Sequence, residues 1–126
     1  MEISQRVGGV RIVSVTIERE QDNDSNPNDY LNAWEDAERI ELYNRGDWDF
    51  VGVYAKVVFE GDDGWRMEVR SPGLWGIESD SDDAYFAEVA AEEAEQLVDD
   101  LKGYRTLSPG VVAEVDAMLG AAVANL

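Results

Sequence analysis

Cysteine and histidine are both absent from this 126-residue chain. Their absence removes disulfides, thiol nucleophiles, the commonest general base and the commonest zinc ligands. Catalysis would have to run on carboxylates, Tyr, Ser or Arg. Lysine is nearly missing too, with only Lys56 and Lys102. No apolar run approaches the roughly 18 residues that a membrane helix needs. Met1-Glu2-Ile3-Ser4 has no basic region followed by an apolar one, so no secretory signal is read and a cytoplasmic protein is expected.

Acid is what the chain has in excess. It carries 28 Asp and Glu against 10 Lys and Arg, a formal net charge of -18. That balance disfavours direct contact with nucleic acid or anionic membranes, where counterion release needs Lys and Arg. It favours solubility and attraction to basic surfaces of other proteins. The same composition would also suit a chain adapted to high salt. A hydrophobic content of 44% supports folding, and the length suits one domain, residues 1–126.

The pattern predicts an α+β fold. Val13, Val15 and Ile17 alternate with polar neighbours in a first strand over Val10 to Glu20, with Ile12 out of step. A loop rich in Asp, Asn, Ser and Pro follows from Gln21 to Asp29. A short helix is expected within Tyr30 to Arg45, with Ala33, Ala37 and Ile40 on one side and Gly46 as its stop. Trp48 to Glu60 is apolar on both sides and reads as the central strand. Trp65 to Arg70 returns antiparallel to it. Burial favours Phe59 opposite Trp65 across a five-residue turn, over Glu60 opposite Trp65.

Ser71 to Glu78 reads as a glycine-rich corner, with Trp75 and Ile77 anchoring it in the core. Ser81 then caps a long helix to about Lys102, with Asp82 and Asp83 in its first turn. Phe86, Ala90, Ala94, Leu97 and Leu101 form its buried stripe. Ser108-Pro109 opens a last helix with Val112, Val115, Met118 or Leu119, and Val123 inward. The expectation is a three-stranded antiparallel sheet packed by two C-terminal helices, with a short helix between strands 1 and 2.

Few groupings suggest chemistry, and no catalytic, cofactor-binding or metal-ligating residue is assigned. Asp22, Asp24 and Asn26 match the opening of a calcium loop, but Pro27 stands where Gly is needed and Ala33 where Glu is needed. Asp62, Asp63, Glu68 and Arg70 faintly suggest a metal-dependent nuclease hairpin, but the Lys is missing and the aspartates suit a turn. Glu78, Asp80 and Asp82 are open to two readings, a cation site or carboxylates at a helix start. Lys56, Arg66 and Arg70 share one side of the sheet with Trp48, Phe50 and Tyr54. That side is either a docking patch for a partner or second subunit, or it is covered by the short helix and neutralised by carboxylates.

The sharpest feature lies on the long helix. At 100° per residue, Glu88, Glu92, Glu95 and Asp99 fall within about 60° of one another, opposite the buried stripe. Successive carboxylates are about 4.5–6 Å apart along the axis. Like charges so placed cost a few tenths of a kcal/mol per pair. The row reads either as an imitation of a phosphate backbone or as a solvated acidic surface. Asp82, Asp83 and Glu93 lie at its margins.

Two segments add a resemblance. Arg45-Gly46-Asp47-Trp48-Asp49-Phe50-Val51-Gly52 and Ser71-Pro72-Gly73-Leu74-Trp75-Gly76-Ile77-Glu78-Ser79-Asp80-Ser81 resemble a family of small, mostly uncharacterised bacterial proteins often carried by phages and mobile elements. The likeness covers roughly Trp34 to Leu101 and brings no activity or catalytic residue. It implies a setting in which small acidic proteins block host defence, as antirestriction and anti-CRISPR proteins do, or other DNA-binding machinery.

These observations point to a non-enzymatic protein, without cofactor, that inhibits a partner by charge mimicry. The partner is a basic protein surface, of a nucleic-acid-binding protein or complex. The contact residues are Glu88, Glu92, Glu95 and Asp99, with Asp82, Asp83 and Glu93 around them. The alternative is a structural or assembly protein using the Trp48, Phe50 and Tyr54 side of the sheet, with a homodimer as one form of it.

Overall fold

The computed structural model describes residues 9–126. The N-terminal residues Met1 to Ser4 read above lie outside the described residues. The chain builds an α+β fold in the order β1 (Val10–Gln21), α1 (Ala37–Asn44), β2 (Phe50–Gly61), β3 (Arg66–Arg70), β4 (Leu74–Glu78), α2 (Asp83–Leu101) and α3 (Pro109–Ala124). The sheet is antiparallel and has four strands rather than three. β2 lies at its centre, with β1 on one edge and both β3 and β4 on the other.

β2 is central because both of its sides are apolar. Val51, Val53, Ala55, Val57 and Phe59 turn to the helices and are buried. α2 packs over β2 and α3 over β1. Leu97, Leu101, Val111, Val115 and Leu119 meet the sheet from that layer. Leu119 rather than Met118 fills the inward position of α3. Ile12 fell out of period because Val13 is the extra residue of a β-bulge. The bulge lets Val10 and Ile12 join the same core that Val15 and Ile17 pack against.

The β2–β3 hairpin corrects the expected register. Phe59 pairs with Met67, and Glu60 with Arg66. The shift from the favoured alignment is two residues, so the apolar sides still coincide while the loop shortens to Asp62-Asp63-Gly64. Gly64 has a φ of 85° and its N–H donates to the Gly61 carbonyl at 3.0 Å, a three-residue hairpin loop closed by a left-handed glycine.

Ser71 to Glu78 is the second correction. It is no simple corner, because Leu74–Glu78 pairs with β2. Ser71 joins the two short strands. Its N–H donates to the Ala55 carbonyl at 2.9 Å and its hydroxyl accepts from the Ala55 N–H at 2.8 Å, so both backbone groups of Ala55 stay satisfied where the edge breaks. Within β4, Trp75 and Gly76 together oppose Gly52, and the φ of 74° at Gly76 makes the bulge. The strand's alternation flips there. Ile77 enters the core, but Trp75 lies half-exposed on the opposite face, where its ring covers Gly52 and stacks on Tyr54 at 6.1 Å.

α1 is shorter than expected and carries no fully buried residue. Ala33 and Ala37 are exposed, and Trp34 is 92% exposed on the turn before it. What holds α1 is aromatic packing. Tyr43 meets Trp48 at 5.2 Å and Phe50 at 5.8 Å, while Tyr30 meets Phe50 at 5.3 Å. The helix-start corrections are small. Asp82, not Ser81, caps α2, accepting from the Tyr85 N–H at 2.8 Å, and Ser81 instead donates its hydroxyl to the Glu78 carbonyl. Ser108 and Pro109 open α3 as read.

Candidate functional site

The distribution of charge decides where a site can be. Most of the described basic residues lie on the sheet or around α1, whereas Lys102 and Arg105 follow α2. On the sheet face opposite the long helices, Glu60 accepts from Arg11 at 2.6 Å and Arg66 at 3.3 Å. Lys56 stands 3.9 Å from Glu18, and Arg70 pairs with Glu68. The Arg11 guanidinium, then that of Arg66, holds the Glu60 carboxyl below its ordinary range. Tyr54 donates its hydroxyl to Glu20 at 2.7 Å and accepts from Arg70 at 3.2 Å. Burial, with the Glu20 hydrogen bond, raises its phenol.

Trp48, Phe50 and Tyr54 are therefore internal, each under 5% exposed. The aromatic side of the sheet, the basis of the assembly reading, is covered by α1 and by this ladder of charge pairs.

Arg39 resolves the acidic segment before α2. Its guanidinium bonds Asp80 at 2.5 and 2.8 Å and Glu78 at 2.7 and 2.8 Å, and it lies over the Trp48 ring at 4.0 Å. The hydrogen bond from Arg39 lowers the Asp80 carboxyl, and its counterpart raises Arg39. Asp82 meanwhile spends its carboxylate on the helix cap. The cation between Glu78 and Asp80 is thus part of the chain itself. Among the described residues no group of three acidic side chains is placed to hold a metal ion.

Asp22, read as the first ligand of a broken calcium loop, is likewise occupied. It is 8% exposed and accepts four hydrogen bonds. Its Oδ1 takes the N–H groups of Asp24 and Ser25 at 3.0 and 3.1 Å. Its Oδ2 takes the Ser25 hydroxyl at 2.7 Å and the Gly76 N–H at 2.8 Å. Burial pushes this carboxyl up, but the four donors outweigh it and leave it below the usual value. Asp22 is the clamp that fastens the acidic loop to the β4 bulge. Its long-range donor is the Gly76 N–H at the β4 bulge, 54 residues away, so no local sequence signal reveals it.

α2 stands apart from all this. Glu88, Glu92, Glu95 and Asp99 are exposed, on the side away from the sheet. Among the described residues, the one ion pair to the row is that of Lys102, 3.5 Å from Asp99. Glu88, Glu92 and Glu95 make no ion pair there. Three successive like-charge pairs at helical spacing cost a few tenths of a kcal/mol each. Of the marginal residues, Asp83 is exposed at the helix start. Glu93 is half-buried and turned away, accepting the Gly73 N–H at 2.6 Å, so it supports the β3–β4 junction instead.

Comparison with protein families, curated proteins and solved structures finds no match to this chain. Among the described residues no helix is long and apolar enough to cross a membrane.

Proposed function

We propose that this is a non-enzymatic acidic binding protein, whose α2 row engages a basic, nucleic-acid-binding surface of a protein partner and blocks it by charge mimicry. Glu88, Glu92, Glu95 and Asp99 carry the contact, with Asp83 at its margin. A phage or mobile-element setting, which the resemblance implies, suits such an inhibitor. One observation carries the reading. The sheet pairs its carboxylates with Arg11, Lys56, Arg66 and Arg70. Exposed acids such as Glu35, Glu38 and Glu41 are also without an ion pair among the described residues, but on α2 four carboxylates in one row meet a single ammonium, at a cost in stability.

Magnitude limits what is imitated. One carboxylate per about 4.5–6 Å of axis is sparser than the phosphates of one strand, at about 3.4 Å. The row therefore stands in for part of one strand, not for a duplex. Binding should be dominated by ion pairs and weaken steeply with salt.

The test is affinity capture from the native cell lysate at low salt, followed by a salt gradient. A basic nucleic-acid-binding protein eluting at moderate salt supports the reading. Retention of nothing, as a merely solvated acidic surface would give, or of partners that survive high salt, overturns it.

A further inference from the structure

The row borders a groove between α2 and α3. Ala94, Val98 and Leu119 form its floor, and its volume is about 440 Å³. Ala91 on α2 and Gly120 on α3 face it from opposite sides and are too small to close it. A side chain at Gly120 would enter open space, since a Cβ built there meets nothing within 4 Å. A second depression of about 320 Å³ shares Val98, Lys102 and Asp116 and continues the groove toward Leu107 and Val112. The rim is acidic: Glu95, Asp99 and Asp116 stand there against one ammonium, Lys102.

We infer that this groove receives an amphipathic basic helix of the partner. The inference rests on the charge reading above and deepens it by naming how the partner is held. An apolar floor takes anchors spaced i, i+3, i+4 and i+7, the pattern of helix-in-groove recognition. Carboxylates on both rims match Lys or Arg flanking those anchors. A β-strand or flat basic surface would leave the floor empty. Glu95 and Asp99 belong to both the exposed row and the rim, so charge steers and the groove selects.

The probe is an 18-residue peptide of Leu and Lys with Leu at i, i+3, i+4 and i+7, set against a scrambled peptide of the same composition. Fluorescence anisotropy of the labelled peptides measures binding to the full chain. The patterned peptide should bind at least about tenfold more tightly than the scrambled one, a difference of about 1.4 kcal/mol. Gly120→Leu should abolish that advantage while leaving the scrambled peptide unaffected. Ala91→Leu plugs the groove from the other side if Gly120→Leu disturbs the fold, which circular dichroism reports. Equal binding of both peptides, or indifference to both plugs, overturns the groove while the charge reading stands. Glu88→Gln with Glu92→Gln, away from the groove, should weaken both peptides alike. If it weakens neither, the charge reading fails, and the groove inference built on it fails too.

Discussion

Replacing Asp22 by Asn keeps its size and removes its charge, and the structure sets what that costs. The carboxylate serves four donors, and Asn offers only one acceptor oxygen. If that oxygen faces Asp24 and Ser25, the NH₂ group confronts the Gly76 N–H. If it faces Gly76, two loop amides lose their acceptor. The Ser25 hydroxyl can rotate to accept, but the amides cannot. Hydrogen bonds to a charged group contribute about 1.5–3 kcal/mol, and an orphaned buried donor costs about 1–3 kcal/mol. Asp22→Asn should therefore lose about 2–4 kcal/mol, a large share of the roughly 5–15 kcal/mol of a small domain.

Urea unfolding at neutral pH should show a midpoint lower by about 1–3 M. The pH dependence gives an independent check. The folded carboxyl lies below its ordinary value, so its contribution is full above the unfolded pKa of about 3.9 and disappears as pH falls through the folded one. The gap between wild type and variant should narrow over that acidic window. A loss below about 0.5 kcal/mol, well under the cost of a single orphaned donor, would refute the clamp. So would a gap that does not change with pH.

Two further perturbations test the surroundings of the fold. Gly52→Ala places a Cβ 2.1 Å from the Trp75 ring, so the indole must leave the strand. A loss of about 1–3 kcal/mol and a changed tryptophan emission are expected, and an unaltered spectrum contradicts the packing. Arg39→Lys retains the charge but loses both the fork on Asp80 and Glu78 and the planar contact with Trp48. The loss should be about 1–2 kcal/mol, read as a melting temperature about 4–8 °C lower, and an unchanged temperature argues against this bridge.

What was legible in the sequence followed from periodicity. The alternation of β2 and the stripe of α2 are local patterns, and both faces are where those patterns put them. Ser108-Pro109 declared the start of α3 by cap chemistry alone. Two of the misreadings sit where one residue breaks a period; the β2–β3 register was missed instead because a two-residue shift leaves the apolar sides coincident. Val13 and Gly76 each add a bulge, and a bulge moves every later side chain to the other face of its strand. Trp75 therefore left the core, and the segment around it concealed a fourth strand. The carboxylates told a similar story. Spacing along a helix identified the exposed row, because neighbours at i+3 and i+4 are fixed by geometry. It was silent on Asp22, Glu78 and Glu93, whose partners lie 54, 39 and 20 residues away.

The central claim concerns the α2 row and not the acidity of the chain as a whole. It is tested most directly by repeating the low-salt capture with two variants that each remove four negative charges. One carries Glu88→Gln, Glu92→Gln, Glu95→Gln and Asp99→Asn. The other carries Glu35→Gln, Glu38→Gln, Glu41→Gln and Asp24→Asn, all exposed positions elsewhere. The account predicts that the first variant loses the retained partner and the second keeps it. Equal retention by both, or equal loss, would contradict it.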